Sequence, residues 1–206
     1  MGRDDWYRNT TWNAEIEAEF DQKLRRAREK FQYLRIQALY LTENYPEVAL
    51  RLLEQYFSLG ENVDMAQAYL QRAQALSVLN DFDGAFASYE AALEQERCRP
   101  NSKTQAYLDF PCLVLETKRE SLYSRALEVL NTHSERPMFP IDRFRAHGAR
   151  ALLVHHFDRK DEARAEAELA MAAAQETESG FRHHPNLGLV QSTADEFSMQ
   201  VAALAT

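Results

Sequence analysis

The chain has 206 residues, 45% hydrophobic and 27% charged, the balance of a folded rather than a disordered chain. Its formal net charge of −8 excludes a general nucleic-acid binder, which needs a basic face for phosphates. Cys98 and Cys112 make no CxxC pair and no disulfide framework, and no apolar run reaches the length of a membrane span, so the expected setting is a reducing cytoplasm with no membrane partner.

Runs such as AEIEAEFDQKLRRARE and DEARAEAELAMAAAQE are rich in strong helix formers, and alternating β-branched stretches are absent, so the expected class is all-α. Residues 1–11 read as a polar arm carrying Trp6 and Tyr7, with Trp12 at its junction and no apolar segment of a secretory signal. Both tryptophans lie in this region, and the arm is expected to cover one end of the core. Thr11 or Asn13 caps the helix that follows, Glu15 and Glu17 suit its dipole, and Ile16, Phe20, Leu24 and Ala27 recur at helical spacing.

Four helical hairpins are predicted next. The first pairs residues 32–44 with 46–59. Tyr33, Ile36, Gln37 and Tyr40 stripe its first helix; Ala49, Leu50, Leu53 and Phe57 stripe its second, which Pro46 opens and Gly60 ends. The second pairs 64–79 with 81–97. Tyr69, Ala73 and Leu76 stripe its first helix, and Asn80, Asp81, Asp83 and Gly84 turn the chain into a helix whose Ala85, Tyr89, Ala92 and Leu93 share one face. The third pairs 102–119 with 120–133, striped by Ala126, Leu127 and Leu130; Pro111 is predicted to kink or break its first helix near Asp109. The fourth pairs 142–157 with 159–177, with Asp142 as cap, Ala151 and Val154 on one helix and Ala163, Ala167 and Ala170 on the other. A loop over 179–188, dense in Arg182, His183, His184 and Asn186, leads to an amphipathic helix over 191–205 that carries Phe197, Val201 and Leu204. Ala49, Ala85, Ala126 and Ala163 hold the same place in successive hairpins, at intervals of 36, 41 and 37 residues.

Small residues and aromatics at these spacings, best developed as Ala73, Ala85, Tyr89 and Ala92, resemble the tetratricopeptide repeat (TPR) over roughly residues 30–175. The resemblance implies a single domain built as an α-solenoid of about four antiparallel hairpins: an N-terminal arm and helix (1–30), hairpin repeats (31–178), and a loop with a capping helix (179–206). It further implies that the first helix of each pair lines a concave face. That places Arg35, Gln67, Leu70, Gln71, Gln74, Arg145, Leu152 and His156 there. The implied function is a protein–protein interaction scaffold that holds a peptide or protein segment. Gln71 and Gln74 would bond the segment's backbone, Arg35 and Arg145 its charges, and Leu70 and Leu152 its apolar groups. The lysine and asparagine set with which some family members grip a terminal carboxylate is missing from the mapped positions.

No GxxxxGK[ST], GxGxxG or GxSxG occurs, and no enzyme activity is expected. His155–His156 and His183–His184, with His147 two helical turns before the first pair, are the residues most suggestive of a metal. Adjacent histidines on a helix point in different directions and no HExxH is present, so neither metal nor cofactor is expected. The alternative to the scaffold is an acidic inhibitor or immunity-type protein that blocks a basic partner enzyme with carboxylates such as Glu94 and Glu96. A catalytic role for the histidine region stands third.

Overall fold

In the computed structural model, which describes residues 5–206, the regular elements are ten α-helices and one 3-10 turn, with no strand among the described residues. The first four residues of the predicted arm lie outside the described residues. No helix among those described is long and apolar enough to cross a membrane. The chain divides into two compact units, Met1–Ala106 and Tyr107–Thr206.

In the first unit, α1 (Ala14–Arg26) starts where the Asn13 side chain accepts from the Glu15 and Ile16 N–H groups at 3.0 and 2.9 Å, and it ends on Lys23, Arg25 and Arg26. Trp6 and Tyr7 pack on Phe20 and Tyr33, and Trp12 on Phe20, so the arm covers this end of the core. Gln37 locks it in place: the Asn9 N–H and Nδ2 donate to Gln37 Oε1, and Gln37 Nε2 donates back to the Asn9 carbonyl. Both backbone groups of one arm residue are thereby satisfied by one buried amide.

Helix α2 (Lys30–Leu41) packs on α3 (Pro46–Ser58), and α4 (Met65–Val78) packs on α5 (Phe82–Cys98) and α3. On α2 the buried residues are Leu34, Gln37, Ala38 and Leu41, while the predicted Tyr40 is exposed. The face is therefore turned by about one residue from the expected stripe. On α3 the buried set is Ala49, Leu52, Leu53 and Tyr56, with the predicted Leu50 and Phe57 only half-buried. Helix α4 buries residues on almost every side, from Met65 to Leu76, because neighbours flank it. The predicted Ala85, Tyr89, Ala92 and Leu93 of α5 are all buried. Asp81 caps α5 through the Gly84 N–H at 3.1 Å; a Cβ on Gly84 would lie 2.6 Å from that carboxylate, which explains the glycine.

The second unit holds α6 (Ala106–Glu116, whose first residue closes the first unit), a 3-10 turn (Glu120–Leu122), α7 (Tyr123–Thr132), α8 (Pro140–His156), α9 (Lys160–Ala174) and α10 (Glu196–Leu204). The expected break at Pro111 does not occur. Helix α6 runs through it, with Tyr107, Leu108, Phe110, Leu113 and Val114 buried around it. Burial of these side chains outweighs the missing N–H of the proline. Helices α8 and α9 meet along Ala163, Ala167, Ala170 and Ala173, small enough for close approach. Asp142 lies in the first turn of α8 rather than before it, and its carboxylate accepts from the Phe139 N–H at 3.4 Å. Helix α10 rests on α8 and α9, starting later than expected because Asp195, not a residue near 191, caps it. At Gly148 a Cβ would stand 2.8 Å from Phe197 and 3.0 Å from Val201, so this glycine seats α10 against α8.

Helices α4, α6 and α8 end alike. Asn80, Lys118 and Asp158 have φ of 60°, 51° and 58°. The next N–H in each case reaches five residues back: Asp81 to Leu76, Arg119 to Val114, Arg159 to Val154, at 2.9–3.1 Å. This is the Schellman closure. The left-handed residue stands five positions before Ala85 and Ala163 but eight before Ala126. The 3-10 turn Glu120–Leu122 supplies the three extra residues and so most of the excess of the 41-residue interval.

Candidate functional site: a cleft in the second unit

An open cleft of about 720 Å³ lies in the second unit. Helix α6 contributes Cys112, Leu115 and Glu116, and the turn after it contributes Lys118 and Glu120. Tyr123 opens α7; Arg145, Leu152, His155 and His156 come from α8; Asp195, Glu196, Phe197 and Gln200 come from α10 and its cap. Arg145, Leu152 and His156 follow one another at seven and four residues, which sets them on one face of α8. The volume falls within the range of about 300–1,000 Å³ usual for ligand sites.

Leu115, Tyr123, Leu152 and Phe197 give the cleft its apolar surface. The Tyr123 ring meets His156 edge-on at 4.7 Å, and burial together with Glu120 raises its hydroxyl pKa. Cys112 is partly buried; burial pushes its thiol pKa up despite the Arg145 guanidinium beside it. Arg145 is not a free cation, because its Nη2 donates to Asp109 Oδ1 at 2.9 Å. The rim is acidic. Asp195 accepts from the Ser198 N–H at 2.8 Å, which holds its carboxyl below the usual range, and Glu196 accepts from Gln200 at 3.0 Å. Glu116 and Glu120 are exposed and carry no ion pair among the described residues. Four carboxylates thus face Lys118 and an arginine already matched by Asp109.

Of the residues expected to bind, Arg145, Leu152 and His156 line this cleft. The other five lie in the first unit, where two are interior: Leu70 is 4% exposed and Gln71 fully buried. With its amide oriented to satisfy both ends, Gln71 donates to the Arg35 carbonyl at 3.2 Å and accepts from Arg35 Nη1 at 3.3 Å. Arg35 also lies 3.4 Å from Asp64. Its loop neighbour Asn62 accepts from the Tyr56 hydroxyl at 2.6 Å and, through its carbonyl, from Arg99. Burial raises the Tyr56 pKa to about 12. These polar groups hold the first unit together. Gln67 and Gln74 are partly buried. Glu94 is exposed and paired with Arg97. Glu96 is not an exterior acid: it is buried, and it accepts from the Thr104 N–H and hydroxyl at 2.9 and 2.6 Å.

The cleft residues that the sequence did not single out for binding are the carboxylates Glu116, Glu120, Asp195 and Glu196, with Cys112, Leu115, Lys118, Tyr123, His155, Phe197 and Gln200. The expected break at Pro111 and the 3-10 turn hid the register of the third hairpin, though only the turn changes it, and Phe197 reads as one more core residue of an amphipathic helix. The available signal was Asp195 three residues before Ser198, a helix-start pattern that places two carboxylates at the end of α10.

Of the other histidines, His147 bonds Glu166 at 2.7 Å, and Arg150 bonds Glu166 at 3.2 Å and the Leu130 carbonyl at 3.1 Å, tying α7, α8 and α9 together. His183 and His184 are exposed in a loop that Ser179 closes on itself, through its hydroxyl to the His184 carbonyl and its N–H to the Pro185 carbonyl, both at 2.7 Å. The same loop is seated by the Gly188 carbonyl accepting from the Ile141 N–H and by Phe139 stacked on Phe181. No group of three histidine, cysteine or acidic residues placed to hold a metal occurs among the described residues. The chain matches no protein-family model, no curated protein and no solved structure.

Proposed function

We propose that this protein is a TPR-like interaction module, its hairpins stacked as in that family, which binds a peptide or protein segment in the cleft of the second unit. The observation that carries this reading is the cleft itself: the α8 residues Arg145, Leu152 and His156 meet there with an apolar surface and an open mouth. In the first unit, the expected binding side chains Arg35 and Gln71 are spent on each other and on Asp64. Selection of a random-peptide display library on the immobilised protein tests the reading. Enriched peptides should lose binding to Leu152→Asn and to Gln200→Trp, the second of which narrows the mouth from an exposed position. Enriched peptides that bind both variants as well as wild type would contradict it.

The acidic-inhibitor reading shares one observation with this one, the excess of carboxylates at the rim. An inhibitor acting through its general exterior would depend on Glu94 rather than on Leu152. Its association rate would fall with salt in the Leu152→Asn variant as in wild type.

A further inference from the structure

Granting that the cleft binds a segment, we infer which kind: one in which a lysine or arginine stands beside a bulky apolar residue. The charge lining the cleft is unbalanced. Glu116, Glu120, Asp195 and Glu196 supply four carboxylates, and Asp109 already matches Arg145, so of the lining lysine and arginine only Lys118 is left to oppose them, beside the imidazoles of His155 and His156. The cap bonds from Ser198 favour the ionised form of Asp195 and fix its carboxylate in the cleft lining. Glu116 and Glu120 remain unpaired among the described residues, on the side of α6 and the 3-10 turn. A cation arriving in the cleft finds in Glu116 and Glu120 carboxylates without an internal ion pair, and in Asp195 and Glu196 carboxylates bonded only by the uncharged Ser198 and Gln200. Carboxylates at the mouth of a low-dielectric cleft also focus the field and favour encounter with positive charge.

The apolar part of the site sets the second requirement. Leu115, Leu152, Tyr123 and Phe197 come from four different elements and meet in the cleft. A purely basic segment would leave this surface wet. A purely apolar one would set its backbone against four carboxylates and gain nothing from them. A bulky apolar side chain next to a long basic one satisfies both, since the stem of lysine or arginine also covers apolar surface. An acidic segment is disfavoured by like charge, which makes the site selective as well as attractive.

The test takes the full chain through random-peptide selection and then measures the selected peptides by fluorescence anisotropy over a salt series. Four proteins are compared: wild type, Glu116→Gln with Glu120→Gln, Leu152→Asn, and Gln200→Trp. Circular dichroism checks that each is folded. Enriched peptides should carry lysine or arginine next to a bulky apolar residue. Each carboxylate removed should weaken binding roughly two- to fivefold at low salt and flatten the salt dependence. Peptides that are neutral or acidic, or that bind the double glutamine variant as they bind wild type, overturn the inferred chemistry. If those same peptides still lose binding to Leu152→Asn and Gln200→Trp, the cleft reading survives without it. Failure to enrich any peptide, or enrichment indifferent to the two cleft variants, overturns both.

Discussion

Helix α4 of the first unit and helix α8 of the second each open a hairpin, and each ends in the same left-handed turn, at Asn80 and at Asp158. Their surroundings differ. Helices α3 and α5 flank α4, and its Leu70 and Gln71 are interior. Helix α10 meets α8 at Gly148, and beyond that contact Leu152 is half-buried and His156 exposed. A helix with polar residues at regular spacing becomes a binding face only where its neighbours stop short. That is decided by packing far along the chain, here by a glycine and a capping aspartate.

The largest effect should come from the buried polar network of the second unit. Arg150→Met leaves Glu166 with His147 alone, in a site where the side chains of Arg150 and Glu166 are 9% and 17% exposed. A loss of about 3 kcal/mol is expected by denaturant titration, largely restored in Arg150→Met with Glu166→Leu. Gly148→Val comes next. Its side chain would drive into Phe197 and Val201, and overpacking of this kind costs about 1–3 kcal/mol. Hydrogen exchange should rise in α10 first and leave α4 and α5 protected. Loosening that begins in α4 would break the proposed contrast.

Acid sharpens the same comparison. The Glu166 carboxyl faces desolvation by burial, yet the His147 and Arg150 contacts outweigh it and its pKa lies below 4.5. A carboxyl with a lowered folded pKa contributes stability that is present above its unfolded value. The contribution is lost as pH falls through the folded value. The second unit should therefore lose stability below about pH 4.5, and Glu166→Gln should flatten that dependence. In the first unit, Arg97 lowers Glu94 to about 2, but the pair is open to solvent and salt should erase its effect. The smallest effect is at the turns. Lys118 adopts a conformation that asparagine and aspartate tolerate better, so Lys118→Gly should stabilise by about 1 kcal/mol and Asn80→Gly by less.

Much of the architecture was legible in the chain. Asn13, Pro46 and Gly60 mark helix ends, and Ala85, Tyr89 and Ala92 or Ala163, Ala167 and Ala170 mark buried faces. Local chemistry sets those features. On α2 the expected stripe rightly includes Gln37, which its bonds to Asn9 hold in place, but Leu34, Ala38 and Leu41 share that buried face rather than Tyr33, Ile36 and Tyr40. No break follows at Pro111, because tertiary burial overrides the lost hydrogen bond. Of the candidate site, Arg145, Leu152 and His156 on α8 were legible. The acidic side was not, since it depends on where α10 and the 3-10 turn come to rest beside that helix.

One measurement separates the two units most directly. A photo-crosslinking side chain is placed at Gln200, on the cleft, or at Gln67, on α4 of the first unit, and each protein is irradiated with a library-selected peptide. The account predicts an adduct from position 200 and none from position 67. An adduct from position 67 with none from position 200 would contradict it.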